Sequence, residues 1–154
     1  MKNIFIITLF LILTISNKSY SQVTVENATD KTVTICVAWI DIHESSSKVY
    51  IETWSEGWWS IEPGQKSTIK SVCPVDDYIF YYAYSNDKVW EGSSTEYGNG
   101  IPDYFRISSI AFKIKNPSYD KSVTYPANYW KIFRKKKVDK GGVFKSSNVS
   151  IYLT

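Results

Sequence analysis

Seven consecutive residues, Tyr78-Ile79-Phe80-Tyr81-Tyr82-Ala83-Tyr84, limit what this chain can become. Each is apolar or aromatic, so a strand made of them is oily on both faces. Left at a surface, such a strand is an aggregation hazard. It therefore calls for a central place in a sheet covered above and below, where aromatic rings fit the pleated surface. Elsewhere Val33, Ile35, Val37 and Trp39 alternate with Thr32, Thr34, Cys36 and Ala38, and Val149, Ile151 and Leu153 face one way near the end. A period of two marks strands, and no run stands at helical spacing.

Turn chemistry separates these runs. Asn27 to Lys31 divides the first two strands, Ser85-Asn86-Asp87 closes the aromatic one, and Gly141-Gly142 precedes the last pair. In Glu62-Pro63-Gly64-Gln65 the proline fixes one φ and the glycine supplies the positive one of a type II turn. Short strands at this turn spacing predict an all-β chain, an antiparallel β-sandwich of about seven to nine strands. One long irregular stretch, Glu91 to Asp103, carries Gly92, Gly98, Gly100 and Pro102; it reads as a functional loop or as a plain connection.

The first residues read as an address. Lys2 gives the positive start, Ile4 to Ile15 is apolar apart from Thr8 and Thr14, and Ser19-Tyr20-Ser21 offers small residues for a peptidase. That is the pattern of a secretory signal peptide, and the run is short for the roughly 20 residues of a spanning helix. The expectation is a signal peptide over 1–21 and a single β-sandwich domain over 22–154, exported and soluble in the periplasm or outside the cell. In that compartment Cys36 and Cys73 can form one disulfide; the alternative is two small buried thiols.

Around the first strands the residues resemble a known pattern. Asn27 and Thr29 precede the strand Thr32 to Ile40. Then come Trp54-Ser55-Glu56-Gly57-Trp58-Trp59-Ser60-Ile61-Glu62-Pro63-Gly64, Tyr81-Tyr82-Ala83-Tyr84 and Trp90-Glu91-Gly92. This order resembles the family of small exported bacterial proteins known as domain of unknown function 1036. The likeness runs from about Val25 to Gly92. It implies an exported domain and brings no catalytic residues. Where members of that family often have cysteines, this chain has Glu26 and Lys66, so any disulfide the family forms there is missing.

The tryptophan segment also has a plain physical reading. On a regular strand Trp58 shares a face with Trp54, and Trp59 with Ile61. Gly57 suits a bulge or a close backbone approach. The rings are either a platform for a sugar or apolar ligand, or filler between two sheets.

Catalytic chemistry is sparse. The single histidine, His43, has Asp41 and Glu44 nearby but no second histidine or cysteine pair at ligand spacing, so it reads as a polar strand end and no metal is expected. Asp76-Asp77 suits a turn start. Glu91, Glu96 and Asp103 match no calcium loop. There is no G-x-S-x-G and no phosphate-cradling glycine loop, so no cofactor is expected and no catalytic residue is assigned.

Charge is divided along the chain. From Gln22 to Asp103 there are 5 basic and 13 acidic residues; from Tyr104 to Thr154 there are 11 basic and 2 acidic. The densest part is Lys131-Ile132-Phe133-Arg134-Lys135-Lys136-Lys137. Either basic strands lie beside acidic ones, or the basic side meets an anionic lipid or glycan surface; export argues against nucleic acid. The leading expectation is a non-catalytic extracytoplasmic binding domain whose surface aromatics, Trp54, Trp58, Trp90 or Tyr97, meet a glycan or protein. The alternative is a protein docked on anionic membrane through Lys131, Arg134, Lys135, Lys136 and Lys137, with Trp130 and Phe133 as apolar anchors. A glycan hydrolase, which needs two facing carboxylates, comes third.

Overall fold

A computed structural model describes residues 21–45, 48–72, 78–93, 104–116, 130–138 and 148–154. Residues 1–20 of the expected signal segment, Cys73 and Tyr97 lie outside these residues, as do Asp76-Asp77, Glu96 and Asp103, while Ser21, the expected last residue of the signal, opens the first strand. The described chain is all-β, with no helix among the described residues.

The strands are β1 (Ser21–Asn27), β2 (Val33–Ser45), β3 (Lys48–Ile61), β4 (Lys66–Val72), β5 (Tyr78–Tyr84), β6 (Val89–Trp90), β7 (Tyr104–Arg106), β8 (Phe112–Asn116), β9 (Trp130–Ile132), β10 (Arg134–Lys137) and β11 (Asn148–Leu153). A six-stranded sheet has the order β10-β5-β2-β3-β8, with β6 added on β5. A three-stranded sheet, β11-β1-β4, and a two-stranded ribbon, β7-β9, complete the fold. The described strands exceed the expected seven to nine because β6, β7 and β9 are two or three residues long, too short to show a period. Pairing is antiparallel except between β1 and β11, which run parallel.

These sheets make a β-sandwich-like domain. Against one face of the six-stranded sheet, Val33, Ile35, Val37, Ile79 and Ala83 meet Val23, Val25, Val149, Ile151 and Leu153 of the three-stranded sheet. The β7-β9 ribbon covers part of the opposite face, where Phe105, Ile107 and Phe133 close over Cys36, Ala38, Phe80 and Tyr82. Strand β5 therefore is central and buried on both sides, as its composition requires. Each fully buried aliphatic or aromatic side chain contributes about 1.5–3 kcal/mol.

Two polar clamps fix the turns and the ribbon. Buried Asn27 donates through Nδ2 to the carbonyls of Lys31 (2.7 Å) and Ile61 (2.8 Å). Its Oδ1 accepts from Thr29 N–H (3.0 Å) and Oγ1 (2.7 Å). Its backbone exchanges bonds with Gly64 and Gln65. The side chain thus ties the β1-β2 turn to the β3-β4 turn. The latter is the expected type II turn, with Gln65 N–H donating to Glu62 C=O at 3.0 Å and Gly64 at φ 70°. In the second clamp, Asn116 Oδ1 accepts from Arg106 N–H (2.7 Å), and Ser55 Oγ donates to Arg106 C=O (2.5 Å). Asn116 Nδ2 donates in turn to Ser55 Oγ (3.2 Å), which joins the ribbon to β3 and β8.

Candidate functional site

The residues around Gly57 shape the site. Opposite Ile35 and Cys36 the β2-β3 register slips: Ile35 pairs Trp59 while Cys36 pairs Gly57, so Trp58 is the extra residue of a β-bulge. The Gly57-Trp58 peptide is cis. Gly57 is needed for close approach, since a Cβ there would lie 3.0 Å from Cys36 Cα and nearer still to Cys36 Cβ.

The bulge corrects the expected facing. Trp58 and Trp54 lie on opposite sides of the sheet. Trp54 and Trp59 pack on the core shared with the three-stranded sheet, whereas Trp58 packs on the ribbon side. Trp59 does share its side with Ile61. An inserted residue reverses alternation beyond it, and that is what separates Trp54 from Trp58.

Trp58 is held in a ring cluster. Its centroid is 5.6 Å from Tyr84, 5.6 Å from Phe112 and 6.2 Å from Tyr82, all edge-to-face. Its indole N–H donates to Ser108 C=O at 2.8 Å. Phe112 sits directly across from Gly57 on β8, so the missing side chain leaves its ring room beside Trp58. Tyr84 ends β5 with 39 % of its surface exposed, and its cross-strand partner Val89 is also exposed.

Charged groups border these rings. Lys131 Nζ stands 5.8 Å from the Tyr82 ring centre. Burial first, and then the negative charge of Glu91, push the Tyr82 phenol up from its ordinary value. Gly92 N–H donates to Ile132 C=O at 3.0 Å, which fixes the chain after Glu91 against β9. An aromatic surface with one cation and one carboxylate at its border can stack a ring and exchange hydrogen bonds with its substituents.

The other expected site residues are spread apart. Trp90, expected at the surface, is 4 % exposed and belongs to the core, with its indole N–H directed at Thr154 C=O (3.3 Å). It follows the tight Ser85–Lys88 turn, which folds β6 back over the sheet. Trp54 is half-buried, paired with Trp39 across the hairpin, with Lys113 Nζ 5.7 Å from its ring centre. Cys36 is a free, buried thiol whose Sγ lies 3.6 Å from Tyr82 C=O, and burial pushes its pKa well up. Its suggested partner Cys73 lies outside the described residues.

The basic run is divided by burial. Arg134, Lys135, Lys136 and Lys137 form the edge strand β10, exposed throughout. Lysines on an edge discourage pairing with other chains. Lys135 also caps two rings, with Nζ 3.9 Å from the Tyr78 centre and 5.7 Å from that of Phe80. Trp130 and Phe133, expected as membrane anchors, are core residues: Trp130 opens β9, Phe133 stands between β9 and the lysine strand β10, and both are buried. Acidic residues of the first half find cations elsewhere. Glu56 pairs Lys70 at 2.5 Å, Glu26 pairs Lys66 at 3.3 Å, and Glu52 pairs Lys115 of β8. The two charged halves therefore meet at β3 and β8.

Tyr84 and Phe112 were not singled out as ligand contacts in the sequence, and Glu91 was weighed there only with Glu96 and Asp103 for calcium. Alternation along β5 already places Tyr82 and Tyr84 on one face, which was the available signal for Tyr84. Nothing local marks Phe112.

No family model, no curated protein and no solved structure matches the chain.

Proposed function

We propose that this protein is a non-catalytic binding domain that receives a glycan on the ring cluster of Trp58, Tyr84 and Phe112. The observation that carries the reading is Trp58 itself. Its indole is only partly buried, yet it is oriented by a hydrogen bond to Ser108 and by three surrounding rings. A ring fixed before binding loses little freedom when a ligand stacks on it. Exposed Tyr84 extends the apolar surface, while Lys131 and Glu91 offer a donor and an acceptor to sugar hydroxyls. The expectation of export, and the resemblance of Val25 to Gly92 to domain of unknown function 1036, accord with a ligand outside the cytoplasm.

Docking on an anionic membrane is the second reading. The exposed cations of β10 favour it, while the burial of Trp130 and Phe133 removes its apolar anchors. The test is titration of the protein with a panel of oligosaccharides, followed by tryptophan fluorescence, for the native chain and Tyr84→Ala. A saturable change that weakens about tenfold in the variant, the worth of about 1.4 kcal/mol, supports the reading. Saturable binding that Tyr84→Ala leaves untouched refutes this site.

A further inference from the structure

The edges of the two larger sheets are not alike. The six-stranded sheet ends in β10, which is Arg134-Lys135-Lys136-Lys137, and in β8, which carries Lys113 and Lys115. The three-stranded sheet ends in β4, with Lys66 and Lys70, and in β11. Lysines on an edge keep other strands away. Of these four edges only β11 has no charged residue, and Val149, Ile151 and Tyr152 give it high strand propensity. Among the described residues, β1 is the one strand paired with it.

One bond sets the backbone direction of β11. Ala28 N–H donates to Leu153 C=O at 2.9 Å, so Leu153 turns its backbone groups toward β1. These groups alternate in direction along a strand, so those of Ser150 and Tyr152 point away from β1, to the open edge. The side chains divide as well. Val149, Ile151 and Leu153 are buried between the sheets, whereas Ser150 and Tyr152 lie on the outer face, with 59 % of Tyr152 exposed. Strand β10, the rim of the other sheet, comes close to β11. Its Arg134 and Lys136 stand opposite Tyr81 and Ile79, on the side of the sheet that packs on the three-stranded one. Val138, next in that alternation, is buried in the same core, while Arg134 and Lys136 at the rim are exposed.

We infer that β11 is the docking edge for an acidic partner, an extended segment in which carboxylate and apolar side chains alternate. Its main chain pairs with the outward groups of Ser150 and Tyr152. Directly opposed side chains share a face, so its carboxylates take the inner face, beside Arg134 and Lys136, and its apolar groups lie beside Tyr152 on the outer face. In strand addition of this kind the main chain supplies affinity and the alternate side chains supply specificity. Charge decides against a second copy as the occupant. Two β11 strands joined edge to edge would set the β10 cations of both copies on one side of the joined sheet, where like charges repel. The surface is separate from the ring cluster, since Trp58 packs on the ribbon side.

The experiment is fluorescence anisotropy of a labelled nine-residue peptide of alternating glutamate and valine, titrated with the protein at low and high salt. Two further peptides are compared: one with glutamine in place of glutamate, and one with the glutamates kept and the central valines replaced by proline, which cannot pair as a strand. The protein variants are Arg134→Gln/Lys136→Gln, Ser150→Pro, and Lys113→Gln on the distant β8 edge. Ser150→Pro removes an N–H that points outward, a setting in which an edge strand accepts proline; its urea midpoint shows whether it folds. Expected is saturable binding of the acidic peptide that weakens with salt and is kept by Lys113→Gln. It should fall about tenfold in Arg134→Gln/Lys136→Gln, the worth of about 1.4 kcal/mol, and be lost in folded Ser150→Pro. Equal binding of the proline-containing peptide overturns strand pairing, and that arm holds even where Ser150→Pro fails to fold. Unchanged binding in Arg134→Gln/Lys136→Gln, or equal binding of the glutamine peptide, overturns the acidic class. No binding of any peptide overturns the inference, as does sedimentation of the protein alone as a dimer that Ser150→Pro makes monomeric, which would give the edge to a second copy.

Discussion

Replacing Gly57 by alanine tests the argument for how Trp58 is placed. The added Cβ would stand about 1 Å inside ordinary contact with Cys36 Cβ, 3.0 Å from Cys36 Cα and 3.4 Å from the Ile35 carbonyl. These are backbone or near-backbone atoms of the paired strand, and no side-chain rotation moves them aside. Relief requires β2 and β3 to separate at the bulge, beside Ile35 and Val37 of the main core. Overpacking of a well-filled site costs about 1–3 kcal/mol, and the backbone nature of this clash puts the expected loss near the upper end, at about 3 kcal/mol. For a domain of this size that is a fall of roughly 10 °C in Tm.

Gly64→Ala is the internal reference. Gly64 has φ 70° and nothing within 4 Å of a new Cβ, so that variant carries only the strain of a left-handed alanine, about 1 kcal/mol. Urea unfolding of both variants gives the comparison. A third variant, Cys36→Gly/Gly57→Ala, removes the nearest clashing atom and leaves the 3.0 Å approach to Cα. The double variant should recover part of the loss, which appears as a coupling energy in the double-mutant cycle. If Gly57→Ala is no less stable than Gly64→Ala, or the cycle shows no coupling, the close-approach account of the bulge is wrong.

The remaining predictions concern the clamp, the thiol and pH. Asn116→Ala leaves Arg106 N–H without its bond and deprives the Ser55 hydroxyl of a donor, so it should cost about 1–3 kcal/mol and speed hydrogen exchange at Arg106; unchanged exchange there would disprove the clamp. Cys36 should resist thiol reagents in the native protein and react on unfolding without reductant, and a need for reductant would show it to be bridged. Burial raises both the Cys36 and Tyr82 pKa values. Above about pH 8.5 the unfolded chain therefore loses protons that the folded chain keeps, and stability falls as pH rises through about 9 to 11. Cys36→Ala should flatten the lower part of that fall and Tyr82→Phe the upper part; a stability that stays level to pH 11 in the native chain contradicts both assignments.

The legible part of the fold was whatever is regular. Val33, Ile35, Val37 and Trp39 announce one buried face by simple alternation, and their side of β2 meets the three-stranded sheet. The aromatic run of β5 announces coverage on both faces because no other setting suits it. The turn at Pro63-Gly64 is legible because two residues with opposite backbone demands stand together. By contrast, the parallel pairing of β1 with β11 joins the two ends of the described chain, and no local pattern contains a partner so distant. The lysine run shows its charge in the sequence, but its division into exposed β10 and the buried rings of Trp130 and Phe133 depends on how β9 and β10 turn beside β5.

Trp58 marks the boundary between the two kinds of information. Gly57 points to an irregularity, and an irregularity is what the hairpin contains. Yet a glycine does not say on which strand the extra residue falls. Counting by two from Trp54 gives Trp58 the same face. Counting with the bulge sends it to the opposite one, to Tyr82, Tyr84 and Phe112. A one-residue slip moves every following side chain across the sheet, so the whole composition of the candidate site depends on that one insertion. The tryptophans that stand together in sequence are thereby parted in the fold: Trp54 and Trp59 pack, partly buried, on the core between the sheets, and Trp58, also partly buried, packs on the ribbon side.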